Sequence, residues 1–541
     1  MVSMVRRLPV FVFLASAAAL PAPALAVDAK EFKKKFLATQ NSWERRALVS
    51  QLDPSDEDSL DLLLKFVLKT QDWYMREAAV QVLSTVYDEG VIGKLTKLKD
   101  KDPVICEGVC MAFGLSKNLD RLDYLIEMIG SKKWNVRRAA AIALRTMKDK
   151  RAIDALISAW EEEDKFLVWV QILESLETLT RQKNMPTAQD WRDWWTVARD
   201  NFEFSDGSDE LSEDEKSGEV IKTRARGTNL SMRRRGKGLP LLVLPDYGYE
   251  KDYLETYLRN LEDTNQIFYM DLPGVVDFVD PPLQNAPNLP NPYYPLDRIV
   301  DAFEELQQDL VKKGVIKEKF ALLAHGISCW IAMTYADRHP RSVRRMILIA
   351  ASSGQKAAGE GINALERRGQ ELGDLELEHY AQSRIYDQQK GGYKYQPQPG
   401  EESAAIDRKA FTVRFADQRD LEIGRIYGPV VEKKVGKQGI ARVPRIRRPM
   451  GGCFIPEFSL FNLKRVPIPT LVLHGKYSVE TSEADARAIA KHYGRNARVI
   501  TFKRSGQMPF IEENEKFVEG IRRFLGGKKA KKKKKKRKKK R

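Results

Sequence analysis

The chain has 541 residues, of which 43% are hydrophobic and 31% charged, with a formal net charge of +17. That length implies two to four domains at roughly 150 residues each, and a mean hydropathy of -0.45 excludes a polytopic membrane protein while leaving ample apolar material for buried cores. The basicity is local. The 13 Lys and Arg between Lys528 and Arg541, interrupted only by Ala530, leave +4 on everything else.

The chain opens with Arg6 and Arg7, an apolar stretch from Leu8 to Leu20, and Ala24-Leu25-Ala26. A charged n-region, an apolar h-region and a small-residue cleavage site predict a signal peptide over 1–26, and hence an exported protein, periplasmic or secreted. About 13 apolar residues are too few to span a bilayer comfortably. Val27 follows the predicted cut in place of cysteine, so no lipid anchor is indicated.

A repeat follows. Trp43, Trp73, Pro103, Trp134 and Phe166 are spaced by 30, 30, 31 and 32 residues, and each opens a helical segment. Such a period signals stacked helix pairs. In one unit Val136, Ala140, Ala143 and Leu144 share a helix face, and Ile153, Leu156 and Ile157 form the next helix's apolar stripe. Asp102-Pro103-Val104 and Asn135-Val136-Arg137-Arg138-Ala139-Ala140 resemble the opening of HEAT-like repeats, over residues 30–183. The resemblance implies a solenoid with an extended surface for a protein partner. Trp191, Trp194 and Trp195 read as an apolar cap, which completes a helical domain over 30–202. Residues 203–220 then turn acidic, with Asp206, Asp209, Glu210, Glu213, Asp214 and Glu215, and read as an interdomain linker.

From residue 221 onward apolar runs alternate with helical stretches. The runs are Leu241 to Leu244, Ile267 to Met270, Phe320 to Leu323, Met346 to Ala350, Thr470 to Leu473 and Val499 to Phe502. That pattern predicts a mostly parallel sheet with helices on both faces. The segment Asp271-Leu272-Pro273-Gly274, the elbow Ala324-His325-Gly326-Ile327-Ser328, the strand Thr470 to Gly475 followed by Ser478, and Gly506-Gln507-Met508-Pro509 together resemble the α/β-hydrolase superfamily over residues 221–526. The fold class expected is therefore multidomain: an all-α HEAT-like solenoid followed by an α/β-hydrolase fold, with a lid insertion at about 353–460. Tyr380, Tyr386, Tyr393 and Tyr395 occupy the first half of that insertion. Arg442, Arg445, Arg447 and Arg448 occupy the second.

Set against the family, all three triad positions depart. Gly326 stands at the nucleophile, Ser478 at the acid and Gln507 at the histidine. Acyl transfer needs an activated nucleophile, a base near neutrality and an orienting acid. Glycine, serine and glutamine supply none of these in those roles, so no catalytic residue is assigned. Ser328 and Cys329 lie within the following helix, away from the reacting position, and His325 and His474 read as structural. The backbone N–H of Ile327 and the loop at Asp246 and Tyr247 would form a remnant oxyanion or ligand pocket, unless the Asp246 carboxylate points inward.

Cys106 and Cys110 stand four apart in a helix, where disulfide geometry is poor; all four cysteines read as buried, with a Cys329 to Cys453 bridge as the alternative. The tail over 527–541, with Lys531, Lys532, Lys533, Lys534, Lys535, Lys536 and Arg537 at its centre, is expected to bind a polyanion through counterion release. An anionic envelope polymer, lipid headgroups or extracellular nucleic acid would suit an exported protein. No cofactor or metal is called for. The sequence thus describes an exported binding or scaffold protein on a catalytically degenerate hydrolase fold; the alternative is an ester or amide hydrolase with a non-standard catalytic set.

Overall fold

The computed structural model describes residues 28–39, 42–99, 102–205, 211, 216–225, 228–246, 251–272, 296–317, 319–354, 365–374, 377–378, 382, 414–417 and 458–526. The signal segment, Tyr247, the tyrosine and arginine groups of the insertion, Cys453 and the basic tail lie outside the described residues.

The first half is helical: α1 (Ala29–Ala38), α2 (Ser42–Val49), α3 (Glu57–Asp61), α4 (Trp73–Ser84), α5 (Glu89–Thr96), α6 (Pro103–Ser116), α7 (Leu122–Met128), α8 (Trp134–Leu144), α9 (Lys150–Glu162), α10 (Phe166–Thr180) and α11 (Ala188–Ala198). The periodic anchors Trp73, Pro103, Trp134 and Phe166 are the first residues of α4, α6, α8 and α10. Aspartates fix several starts, because a carboxylate accepts the unpaired N–H groups of a first turn: Asp72 caps Tyr74, Asp102 caps Val104 and Asp149 caps Arg151. The helices α4, α6, α8 and α10 pack in series. Small residues set the spacing, since a Cβ at Gly114 of α6 would lie 2.6 Å from the Ala143 Cα of α8. One buried carboxylate spans three repeats: Glu107 lies 3.2 Å from Arg76 and 3.8 Å from Arg138.

Trp191 and Trp195 are buried, and their indole N–H groups donate to the Met185 carbonyl at 3.0 Å and to Asp154 at 2.6 Å. Both indoles are satisfied where α11 packs on α9.

The second half is an eight-stranded sheet in the order β1-β2-β4-β3-β5-β6-β7-β8. Its strands are β1 (Glu219–Ala225), β2 (Thr228–Arg235), β3 (Leu239–Leu244), β4 (Asn265–Met270), β5 (Phe320–His325), β6 (Val343–Ile349), β7 (Thr470–Gly475) and β8 (Ala497–Phe502). Strands β3 to β8 are mutually parallel, and β2 pairs antiparallel with both β1 and β4. The six apolar runs are the six parallel strands; the β1–β2 hairpin was not foreseen.

Alternation along these strands feeds two cores. Leu242, Leu244, Phe268, Leu322 and Leu348 face α13 (Leu296–Lys312), α14 (Ser328–Arg338) and α15 (Glu483–Tyr493). Leu241, Val243, Tyr269, Leu323 and Leu473 face α12 (Asp252–Leu258), α16 (Pro509–Glu512) and α17 (Asn514–Leu525). This second core is continuous with that of the solenoid.

The contact between the halves is specific. Glu177 of α10 receives Arg259 at 3.1 Å and the Ser217 hydroxyl at 2.5 Å, while Thr256 donates to Glu174 at 2.7 Å. Behind this contact, Arg235 of β2 meets Glu255 at 2.8 Å and Glu262 at 3.1 Å. The linker therefore ends earlier than the expected residue 220: Ser217 is buried, the Gly218 N–H donates to Asn184, and β1 begins at Glu219.

Candidate functional site: the elbow after strand β5

Strand β5 is buried throughout and runs into α14 through Gly326 and Ile327. Gly326 has a φ of +58°, the left-handed conformation that an elbow imposes and that glycine accepts without strain. The architecture of a nucleophile elbow is therefore present with no side chain on it.

The space a side chain would occupy is filled. A Cβ built on Gly326 would lie 2.3 Å from Asp246 Oδ1 and 2.4 Å from its Cγ. That carboxylate accepts the Ile327 N–H at 3.0 Å. Asp246 does point inward, so the N–H expected to face a ligand is engaged by the chain's own carboxylate at the start of α14, where a negative charge is favourable. Tyr247, the third member of the expected pocket, lies outside the described residues.

Around this point the polar groups form one network. The insertion contributes Arg414, whose guanidinium lies 3.7 Å from Asp246 and forms a close ion pair with Glu480. Glu480 in turn accepts the Gln507 side-chain N–H at 2.7 Å. The carboxylate partnered with the residue at the histidine position is thus Glu480, two residues beyond Ser478, whose own hydroxyl contacts Thr481 at 2.9 Å. Neither Glu480 nor Arg414 was read from the sequence. Glu480 had a faint signal, an acid two residues along the same loop, whereas Arg414 lies in the insertion, far in the chain from both Asp246 and Glu480, and had none.

The insertion is held here by its backbone. The Gln507 N–H donates to the Arg414 carbonyl at 2.6 Å, and Glu512 accepts the Ala416 N–H at 2.6 Å and the Gly506 N–H at 2.7 Å. Phe415 is buried. Close approach requires glycine at 506, where a Cβ would meet the Arg414 carbonyl oxygen at 2.0 Å.

The neighbouring candidates are all committed elsewhere. Ser328 is buried and donates to the Pro245 carbonyl at 2.5 Å. Cys329 is buried and not disulfide-bonded, with its thiol against the carbonyls of Ala324 at 3.3 Å and Ile349 at 3.4 Å, and burial pushes that thiol's pKa well up. Cys453, the partner in the alternative bridge, lies outside the described residues. His474 is buried, which lowers its pKa.

His325 is the hub of the remaining polar chain. Its Nε2 lies 3.1 Å from the Gln507 carbonyl oxygen, which can only accept, so Nε2 carries the proton. Its Nδ1, 2.6 Å from the Tyr253 hydroxyl, then accepts, and that hydroxyl accepts the Asp246 N–H at 2.7 Å. Every donor has one acceptor in this assignment, and the imidazole is neutral. Burial, the largest cause, presses its pKa down to about 4. Both nitrogens of the enclosed ring are thus engaged within the chain at the end of β5.

Residues 94–177 match the family of HEAT repeats. No curated protein is similar in sequence to the chain. Among solved structures, the meta-cleavage product hydrolase CumD of Pseudomonas fluorescens IP01 is 18% identical, with a TM-score of 0.42 over 57% of this chain and 97% of its own. An α/β fold family hydrolase of Bacillus anthracis str. Sterne is 16% identical, with a TM-score of 0.40 over 57% and 99%. The esterase EaEST of Exiguobacterium antarcticum is 16% identical, with a TM-score of 0.39 over 57% and 100%. The strand order and the elbow after β5, together with the repeat match, make this chain a helical region with HEAT repeats followed by a mostly parallel, eight-stranded α/β-hydrolase-type sheet.

Proposed function

We propose that the protein is an exported, non-catalytic binding protein: the HEAT-repeat surface takes a protein partner, the hydrolase-type half serves as a scaffold, and the tail around Lys531 to Arg537 retains the assembly on an anionic polymer. The observation that supports this most directly is the Asp246 carboxylate, which occupies the side-chain position of residue 326 and takes the Ile327 N–H. A tetrahedral oxyanion would have to compete with a fixed negative charge for the same donor, the reverse of the preorganised stabilisation acyl transfer needs.

The test is labelling by a fluorophosphonate probe and turnover of short-chain esters. Wild-type protein is expected to show neither. Gly326→Ser is expected to remain unlabelled and to lose about 1–3 kcal/mol of stability, because a left-handed non-glycine residue is strained and its Cβ meets Asp246. Labelling or turnover that disappears on changing the elbow would replace this reading with that of a hydrolase using a non-standard catalytic set.

The tail makes a separate prediction. Its like charges engage a polyanion by counterion release, so retention on an anionic matrix falls steeply with salt. Truncation after Gly527 is expected to abolish retention at moderate salt. Unchanged elution would remove the polyanion from the proposal.

A further inference from the structure

A cavity of about 220 Å³ opens on the face of the sheet covered by α13 and α14. It is lined by Asp297 near the start of α13, by Thr334, Asp337 and Arg338 toward the end of α14, and by Phe458 and Asn462 where the insertion closes. The elbow lies at the other end of α14, about 15 Å away at 1.5 Å per residue. Spacings of three and four put Thr334, Asp337 and Arg338 on one stripe of that helix.

The walls are fixed. Phe458 is buried and stacks on Trp330 at 4.9 Å, and the next turn, Leu460–Asn462, is pinned by the buried Leu460, whose N–H donates to the Ser353 carbonyl at 3.1 Å. Asp337 accepts the Lys464 N–H at 2.8 Å, which ties α14 to the same stretch. Arg338 forms a close ion pair with Asp297 and lies 3.3 Å from Asp301.

One group in this setting is unanswered. Thr334 is 7% exposed, and its hydroxyl is buried with no hydrogen-bond partner among the described residues. Thr178, Thr180 and Thr196, also on helices, each return theirs to the carbonyl four residues back, at 2.8, 2.7 and 2.8 Å. A buried hydroxyl left unpaired costs stability and marks a place where a partner is missing.

The polar groups around it present both senses of hydrogen bond. The Arg338 guanidinium only donates, the carboxylates of Asp297 and Asp337 only accept, and the Thr334 hydroxyl and Asn462 amide do both. An anion would meet two carboxylates, and a cation would meet the guanidinium. A neutral polyol, each hydroxyl of which gives one hydrogen bond and takes others, meets the whole set. The volume falls below the ~300 Å³ at which drug-sized sites begin and suits a single ring. Phe461, 84% exposed on the turn that carries Asn462, adds an aromatic face for the C–H side of a sugar.

We propose that this cavity binds one neutral pyranose unit of a glycan, with Thr334, Asp337 and Asn462 taking its hydroxyls. No residue of the elbow network takes part, so the site stands independently of the non-catalytic reading.

The experiment titrates the full chain with the methyl glycosides of glucose, galactose and N-acetylglucosamine, and with methyl phosphate and methylammonium as charged counterparts, read by saturation-transfer NMR of the ligand. At least one glycoside is expected to saturate, and Thr334→Val to weaken it about three- to tenfold, the worth of one hydrogen bond. Asn462→Ala, at an exposed position, should weaken it similarly. Thr334→Val should also leave the thermal midpoint unchanged or raised, because it removes a buried hydroxyl that has no partner. Failure of every glycoside to saturate, affinity that either variant leaves unchanged, or preferential binding of methyl phosphate or methylammonium would each overturn the proposal. So would a lowered midpoint in Thr334→Val, which would place the partner of that hydroxyl within the chain.

Discussion

Glu177→Ala is expected to destabilise the full chain by about 3–5 kcal/mol, the usual cost of removing one member of a buried ion pair. The carboxylate receives Arg259 at 3.1 Å and the Ser217 hydroxyl at 2.5 Å, so its loss strands a guanidinium and a hydroxyl inside the contact between the two halves. Arg259 is itself buried, and water does not replace the missing acceptor. Coupling between the halves should weaken with it. Urea unfolding followed by far-ultraviolet circular dichroism is expected to shift its midpoint downward and to separate into two transitions, the solenoid melting apart from the sheet. Glu177→Gln, which keeps an acceptor for Ser217, should cost less. An unshifted midpoint in Glu177→Ala would mean that the apolar core shared by the two halves carries the contact without it.

Acid is expected to weaken the fold in a window set by His325. In the folded chain its pKa is about 4, against a reference value of 6.5, because burial disfavours the imidazolium. Above pH 6.5 both the folded and unfolded forms are neutral, and the full stability is present. As pH falls through 6.5 the unfolded chain takes up a proton that the folded chain refuses, so stability declines until about pH 4, by about 3 kcal/mol in all. Most of that window lies above the range in which ordinary carboxylates titrate. His474 shifts in the same direction and adds to the slope. Urea midpoints measured across this window should therefore fall with pH in the wild type and fall less steeply in His325→Gln. Equal slopes would show that the imidazole is not held neutral.

The apolar periodicities were legible in the sequence and the polar partnerships were not. Trp73, Pro103, Trp134 and Phe166 marked helix starts by the regular return of one position in each repeat, with Trp73 and Phe166 buried and Trp134 exposed. The runs from Leu241 to Leu473 marked parallel strands because burial on both faces leaves little room for polar residues, while Val499 to Phe502, at the sheet edge, is largely half-buried. The run Arg233-Arg234-Arg235 gave no such sign. It reads as surface, yet Arg233 and Arg235 are buried, since Glu255 of α12 and Glu262 beyond it arrive to meet them. Likewise Gly326, Ser478 and Gln507 could be set against the elbow, acid and histidine positions through the resemblance of their motifs to those of the α/β-hydrolase superfamily. The replacement network could not, because Asp246, Arg414 and Glu480 come from separate loops, and pairing between loops leaves no periodic trace in a chain.

The carboxylate of Asp246 lying over Gly326 also limits what a single substitution can achieve. From the present state, serine at 326 brings strain and a collision before it brings an attacking group. A histidine at 507 alone would forfeit the amide contact to Glu480 and find no alcohol to deprotonate. Neither first step is rewarded, and both must precede any turnover. On the non-catalytic reading proposed above, the contact works as a ratchet: with the aspartate against the glycine, single substitutions offer no downhill route to hydrolysis.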